Sequence, residues 1–129
     1  MTTHERLEFL ARHYAQGLRP FLLHGGSAAE RATFAAAIHA HSGLATPLHT
    51  LEGTDPALAA VPQGEHVFLT EVEALSEAAQ AELLAGIRAE RWRLIAGTQG
   101  EEPDRLSEEL YALLEAGYVA VSAPEPVAV

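Results

Sequence analysis

The chain has 129 residues, of which 48% are hydrophobic and 20% charged, and its formal net charge is −10. This length and composition predict one globular domain, and the acidic balance argues against direct binding of nucleic acid or of an acidic surface. Cysteine is absent, which excludes disulfides, thiol catalysis and cysteine-based zinc sites.

The amino-terminal stretch MTTHERLEFLARHY is charged and amphipathic, without the apolar centre of a signal peptide. No apolar run approaches the roughly 20 residues that a membrane-spanning helix needs. We therefore expect a cytoplasmic protein that does not contact a membrane.

Helices and strands alternate along the first part of the chain. Apolar residues recur every three or four positions over 3–18 and predict a helix. The apolar run PFLLHG (20–25) predicts a buried parallel strand that ends in a glycine turn. The stretch 27–43 predicts a second helix, in which Ser27 is the N-cap and Glu30, three residues on, completes a capping box.

The alternation continues to the end of the chain. The further predicted elements are strands over 46–53 and 67–70, a helix over 76–90, a strand over 91–98, a helix over 104–117 and a strand from Tyr118. Five strands alternating with helices predict a parallel α/β sheet with helices on both faces. We expect a single domain over 1–123 and a loose, proline-containing tail over 124–129.

Four segments follow one another in an order that is known from one protein family. They are LHGGSAAERATFAAAIHAHSG (23–43), EHVFLTEVEALSEAAQAELLAGIRAE (65–90), RLIAGTQ (93–99) and LSEELYALLEAGYVAVSAP (106–124). Together they resemble the core of AAA+ ATPases, and more narrowly the bacterial sigma-54-dependent activators, also called enhancer-binding proteins. The resemblance implies a three-layer P-loop fold with five parallel strands in the order 5-1-4-3-2, and we expect no lid subdomain.

The phosphate-binding loop of that family, GxxxxGK[ST], works through glycine N–H groups, a lysine on the phosphates and a hydroxyl on Mg²⁺. The matching positions here include Gly25, Gly26, Ser27, Glu30, Arg31 and Ala32. Glu30 replaces the second glycine, and its carboxylate would repel a phosphate. Arg31 replaces the lysine and Ala32 the hydroxyl. The resemblance therefore predicts a vestigial nucleotide loop.

The other ATPase motifs are altered in the same comparison. The aspartate that positions Mg²⁺ in the family aligns with Thr70, while the neighbouring glutamate is retained as Glu71. The asparagine that senses the γ-phosphate aligns with Gln99, and the two arginine fingers align with Ser107 and Leu113. We predict vestigial Walker B and sensor positions, with no catalytic residue and no cofactor.

Seven histidines raise the alternative of a metal site. His39 and His41 are two residues apart, so a helix places them on different faces. His24, His49 and His66 lie near strand ends, where the carboxyl edge of the sheet could bring some of them together. Because the sequence supplies no geometric constraint, we predict no metal site.

Arg88, Arg91 and Arg93 cluster around Trp92. The cluster could form a contact patch for a partner, or it could place cations favourably near a helix carboxyl terminus. We favour the second interpretation.

The function predicted from the sequence is a non-catalytic AAA+-like module for protein–protein interaction or regulation, and the resemblance points to transcription in a bacterium. Its partner would be an unidentified protein that contacts the sheet edge or the emptied nucleotide cleft. The alternative is a weak nucleotide sensor that uses the altered loop 25–32. Because the finger arginines are missing, we expect a monomer or dimer rather than a hexameric ring.

Overall fold

The computed structural model describes residues 3–14, 20–54, 57–99, 106–115 and 117–121. The elements, in chain order, are α1 (Thr3–Tyr14), β1 (Phe21–His24), α2 (Ala28–His41), β2 (His49–Leu51), β3 (His66–Leu69), α3 (Glu77–Arg88), β4 (Arg93–Thr98), α4 (Glu108–Glu115) and β5 (Tyr118–Ala120). Short 3₁₀ turns occupy Leu58–Ala60 and Val72–Ala74. The predicted tail 124–129 and the end of the predicted first helix lie outside the described residues.

The strands form one parallel sheet in the order β2-β3-β4-β1-β5. Four of them, β1-β4-β3-β2, make the larger part of the sheet, and the three-residue strand β5 lies beside β1 at one edge. Parallel neighbours require crossover connections, and the helices between the strands supply them. The predicted parallel α/β sheet is confirmed.

Helices cover both faces of the sheet. Successive residues of a strand point to opposite faces, so the apolar strands contribute side chains to two cores. One core contains Leu22, Leu69, Leu83, Leu94, Leu110 and Leu114, and the other contains Phe21, Leu23, Phe34, Ile38, Phe68 and Ile95. Helices α3 and α4 contribute to the first core, and α1 and α2 to the second. The protein therefore has three layers, helices on either side of the sheet. The helices cover the faces of the sheet but not the ends of its strands, where a site can form.

Several element boundaries differ from the prediction, among them those of β2, which is limited to His49–Leu51, and of β3 and α4. Strand β3 begins and ends one residue earlier, so Thr70 follows the strand. Helix α4 begins at Glu108 because Ser107 caps it, with the Ser107 Oγ accepting the Leu110 N–H at 3.2 Å. In the described part of the chain, no helix combines the length and the apolarity needed to cross a bilayer.

Candidate functional site

The turn after β1 has the backbone conformation of a glycine loop. Gly25 and Gly26 have φ angles of +81° and +66°, in the left-handed region that favours glycine. The Gly25 N–H donates to the Thr98 carbonyl at 3.2 Å, which ties the turn to the end of β4. The loop therefore lies at the carboxyl edge of the sheet and leads directly into α2.

The predicted capping box at the start of α2 is confirmed. The Ser27 Oγ accepts the Glu30 N–H at 3.1 Å, and the Glu30 Oε1 accepts the Ser27 N–H at 3.0 Å. A carboxylate is favourable here because the amino terminus of a helix carries partial positive charge. The Glu30 carboxylate thus accepts the hydrogen bond of the Ser27 N–H, a group that a loop of this type could otherwise donate to an anion.

Arg31 points into the protein. Its side chain is only 1% exposed, and its Nη1 donates to the carbonyls of Gly25 at 3.0 Å and Gly26 at 2.9 Å. Its Nε and Nη2 are buried without a hydrogen-bond partner. The guanidinium forms no ion pair with any residue that the structure describes. Arg31 therefore stabilises the glycine turn from the interior of the protein. The next residue, Ala32, is instead exposed to solvent on α2.

The predicted Walker B and sensor positions lie at the same edge. Thr70 follows β3, and its N–H donates to the Leu51 carbonyl at 3.0 Å. Glu71 is exposed and precedes the turn Val72–Ala74, and Gln99 is exposed directly after β4. Strands β3, β4 and β1 are parallel neighbours, so their carboxyl ends lie at one edge of the sheet. The glycine loop lies at the same edge.

Glu73 belongs to this edge and was missed by the sequence analysis. Its Oε1 accepts the Gln99 N–H at 3.5 Å, and its Oε2 is buried without a partner. It stands two residues after Glu71, outside any motif, so no sequence signal identified it. The carboxylate makes this edge more acidic than the motif positions alone predicted.

Comparison with solved structures relates this arrangement to known proteins. NtrX from Brucella abortus matches in two crystal structures, in complex with ADP (TM-score 0.72, 19% identity) and with ATP (TM-score 0.75, 18% identity). Each match covers 94% of this chain but only 36% and 37%, respectively, of the NtrX chain. The P-loop NTPase domain of a sigma-54 transport activator from E. coli matches with a TM-score of 0.68 and 22% identity, over 92% of both chains. The fold is that of a P-loop NTPase core.

No family model and no curated protein matches the chain. The structural matches nevertheless confirm the resemblance to the cores of sigma-54 activators that the four sequence segments predicted. In this P-loop core the segment from Gly25 to Ala32, which comprises the turn after β1 and the start of α2, has the place of the phosphate-binding loop.

The histidines do not gather at the carboxyl edge of the P-loop core. His24 ends β1, but His49 and His66 begin β2 and β3 and so lie at the opposite edge. The expectation that the carboxyl edge could collect them was wrong for these two residues, because strand boundaries decide the edge at which a terminal residue lies. The described residues contain no group of three or more side chains suited to a metal ion.

A histidine pair instead joins α2 to β3. The Nδ1 atoms of His39 and His66 are 2.8 Å apart, so one ring donates to the other, and the rings meet edge to face. His66 is 2% exposed. Burial, together with the neighbouring His39 and the Arg93 guanidinium, lowers the pKa of His66 to about 4.

Of the clustered arginines, Arg88 lies in the last turn of α3, as the second interpretation expected. Arg88 pairs with Glu109 at 2.8 Å, and both side chains are exposed. The Arg91 guanidinium lies 5.5 Å from the centre of the Trp92 ring. Trp92 itself is buried, at 4% exposure. The aromatic residue at the centre of the cluster is therefore part of the core.

Proposed function

We propose that this P-loop core acts without nucleotide chemistry, as a non-catalytic module for protein–protein interaction or regulation. One observation carries the proposal: the chain's own side chains form hydrogen bonds with the polar backbone groups of the loop. The Glu30 carboxylate takes the Ser27 N–H, and the Arg31 guanidinium is turned inward onto the carbonyls of Gly25 and Gly26. A phosphate would have to displace the carboxylate and would meet its charge, which costs about 1 to 4 kcal/mol for like charges 4 Å apart.

The side chains around the loop support the same proposal. Thr70 offers no carboxylate and Ala32 no hydroxyl for Mg²⁺ where the resemblance would place a metal. Glu71 is exposed, and a general base for water has little effect without the metal and the phosphate that it serves. By the resemblance to sigma-54 activators, we propose regulation of transcription in the cytoplasm of a bacterium, through an unidentified protein partner.

Calorimetric titration with ATP, ADP and GTP, with and without Mg²⁺, tests the proposal. We expect no binding tighter than about 1 mM, which corresponds to about −4 kcal/mol. A dissociation constant in the micromolar range would overturn the proposal.

A matched pair of variants identifies the cause of the weak binding. Glu30→Gln keeps the side-chain length and can still accept a hydrogen bond, but it removes the charge, so it should strengthen ATP binding only partly. The triple variant Glu30→Gly, Arg31→Lys, Ala32→Thr should bind ATP clearly more tightly than the natural chain, since it restores the loop motif. If the triple variant stays folded and gains nothing, the loop substitutions are not the cause.

A second candidate function is a weak nucleotide sensor. The observation that favours it is that the Nε and Nη2 of Arg31 have no partner beside a glycine turn. The sensor requires the Arg31 side chain to turn outward when a nucleotide arrives. Micromolar ATP binding that Arg31→Met abolishes, with the fold retained, would support it over the first proposal.

A further inference from the structure

A groove of about 600 Å³ lies between α3 and α4, and none of its lining residues belongs to the glycine loop. Its apolar lining comes from Ala81, Leu84 and Leu106, and three carboxylates line it as well, those of Glu77, Glu108 and Glu109. Its volume is within the range of about 300–1,000 Å³ that is usual for pockets that bind small molecules.

The groove is held in shape by a buried glutamine. Gln80 is 6% exposed; its Nε2 donates to the Leu75 carbonyl at 3.3 Å, and its Oε1 accepts the Ser107 N–H at 2.8 Å. This bridge holds the start of α4 against α3. Leu84 and Leu106 pack against the core beneath the groove, so its floor is fixed by the fold.

The carboxylates around the groove are only partly neutralised. Glu109 pairs with Arg88 at 2.8 Å, whereas Glu77 and Glu108 form no ion pair within the described part of the chain. The helix amino termini explain why acids are tolerated at these first-turn positions. Because α3 and α4 follow adjacent strands of one parallel sheet, both amino termini lie at the same edge, and their acids border a common apolar floor. Both that border and the net charge of −10 favour a cationic occupant.

We propose that the α3–α4 groove binds a short basic segment of a partner protein, with arginine or lysine beside aliphatic side chains. The aliphatic groups would cover Leu84 and Leu106, and the cation would contact Glu77 and Glu108. The proposal rests on the proposed function in protein–protein interaction and names the surface and the chemistry of the partner.

Titration of ¹⁵N-labelled protein with two short peptides tests the groove. The probes are acetyl-Arg-Leu-Leu-Arg-amide and its acidic counterpart acetyl-Glu-Leu-Leu-Glu-amide. The basic peptide should shift the backbone amide signals of 77–84 and 106–109, and the acidic peptide should not. The affinity should fall with added salt, since the charges are near the surface.

Substitutions in α3 and α4 supply the controls. The double variant Glu77→Gln, Glu108→Gln should weaken binding of the basic peptide about fivefold, as expected from the loss of exposed ion pairs. Glu82→Gln removes an exposed carboxylate of α3 that does not line the groove, and it should leave binding unchanged. Ala81→Arg places a cation in the groove and should abolish binding.

Several results would overturn the proposal: no shifts with the basic peptide, equal binding of both peptides, shifts confined to other surfaces, or an equal effect of Glu82→Gln. Adding ATP to the same labelled sample separates this inference from the proposed function. Saturating shifts at 25–32 with micromolar ATP would overturn the proposed function. Failure of the basic peptide alone would overturn only the groove.

Discussion

At the scale of single residues, Glu30 and Arg31 differ in what the sequence could predict about them. The role of Glu30 depends on Ser27, three residues away in the same helical turn, and a local spacing of this kind is readable without a structure. The inward position of Arg31 depends on the left-handed turn at Gly25 and Gly26, which presents two carbonyls to it. No spacing rule identifies that arrangement.

His66 supports a prediction about pH. Its pKa is lowered to about 4 in the folded protein, against 6.5 for an ordinary histidine, so the unfolded chain binds the proton first as pH falls. Stability should therefore decrease as pH is lowered from about 6.5 to 4, by about 3 kcal/mol from this residue. Urea unfolding at pH 7, 5.5 and 4.5 measures the decrease.

The other charged groups near His66 require a control. His39 faces it from α2 and Arg93 from β4, while the neighbouring Glu65 is engaged with His49 at 2.8 Å. The variant His66→Asn keeps a short polar group beside His39 but does not titrate. Its stability should depend less on pH over the same range, and equal pH dependence of the two proteins would contradict the assignment to His66.

At the scale of elements, Trp92, the residue before β4, packs against helix α3. Trp92 is buried against Gly86, so a Cβ at Gly86 would overlap the indole ring. The sequence predicted the strand from Arg91, but the structure begins β4 at Arg93, where its pairing with His66 of β3 starts. A helix–strand contact of this kind cannot be read from local propensity.

Gly86→Ala tests that contact. Alanine stabilises an ordinary helix interior by roughly 1 kcal/mol relative to glycine. At this position we expect the opposite sign, a loss of about 2 kcal/mol or more, because the ring of Trp92 must move. Chemical unfolding followed by Trp92 fluorescence measures it.

Ala85→Gly is the matched control on the exposed face of the same helix, and it should cost only about 1 kcal/mol. Stabilisation by Gly86→Ala would contradict the close packing of the indole ring.

At the scale of the whole molecule, we predict a monomer or dimer of the 13.8 kDa chain. The ring-forming arginines of the resembled family align with Ser107 and Leu113, and Ser107 is engaged in capping α4. Size-exclusion chromatography with light scattering should show a mass of one or two chains, with and without ATP. A mass of six chains would contradict the prediction.

The sequence by itself determined the alternation of helices and strands, the capped start of α2 and the altered motif residues, because each depends on neighbours within a few positions. Only the tertiary structure decided which residues meet across elements. Examples are the inward position of Arg31, the His39–His66 contact between α2 and β3, and the Gln80 bridge beneath the α3–α4 groove. These contacts join residues that are 5 to 27 positions apart, and their geometry follows from helix packing and strand register, which local patterns do not encode.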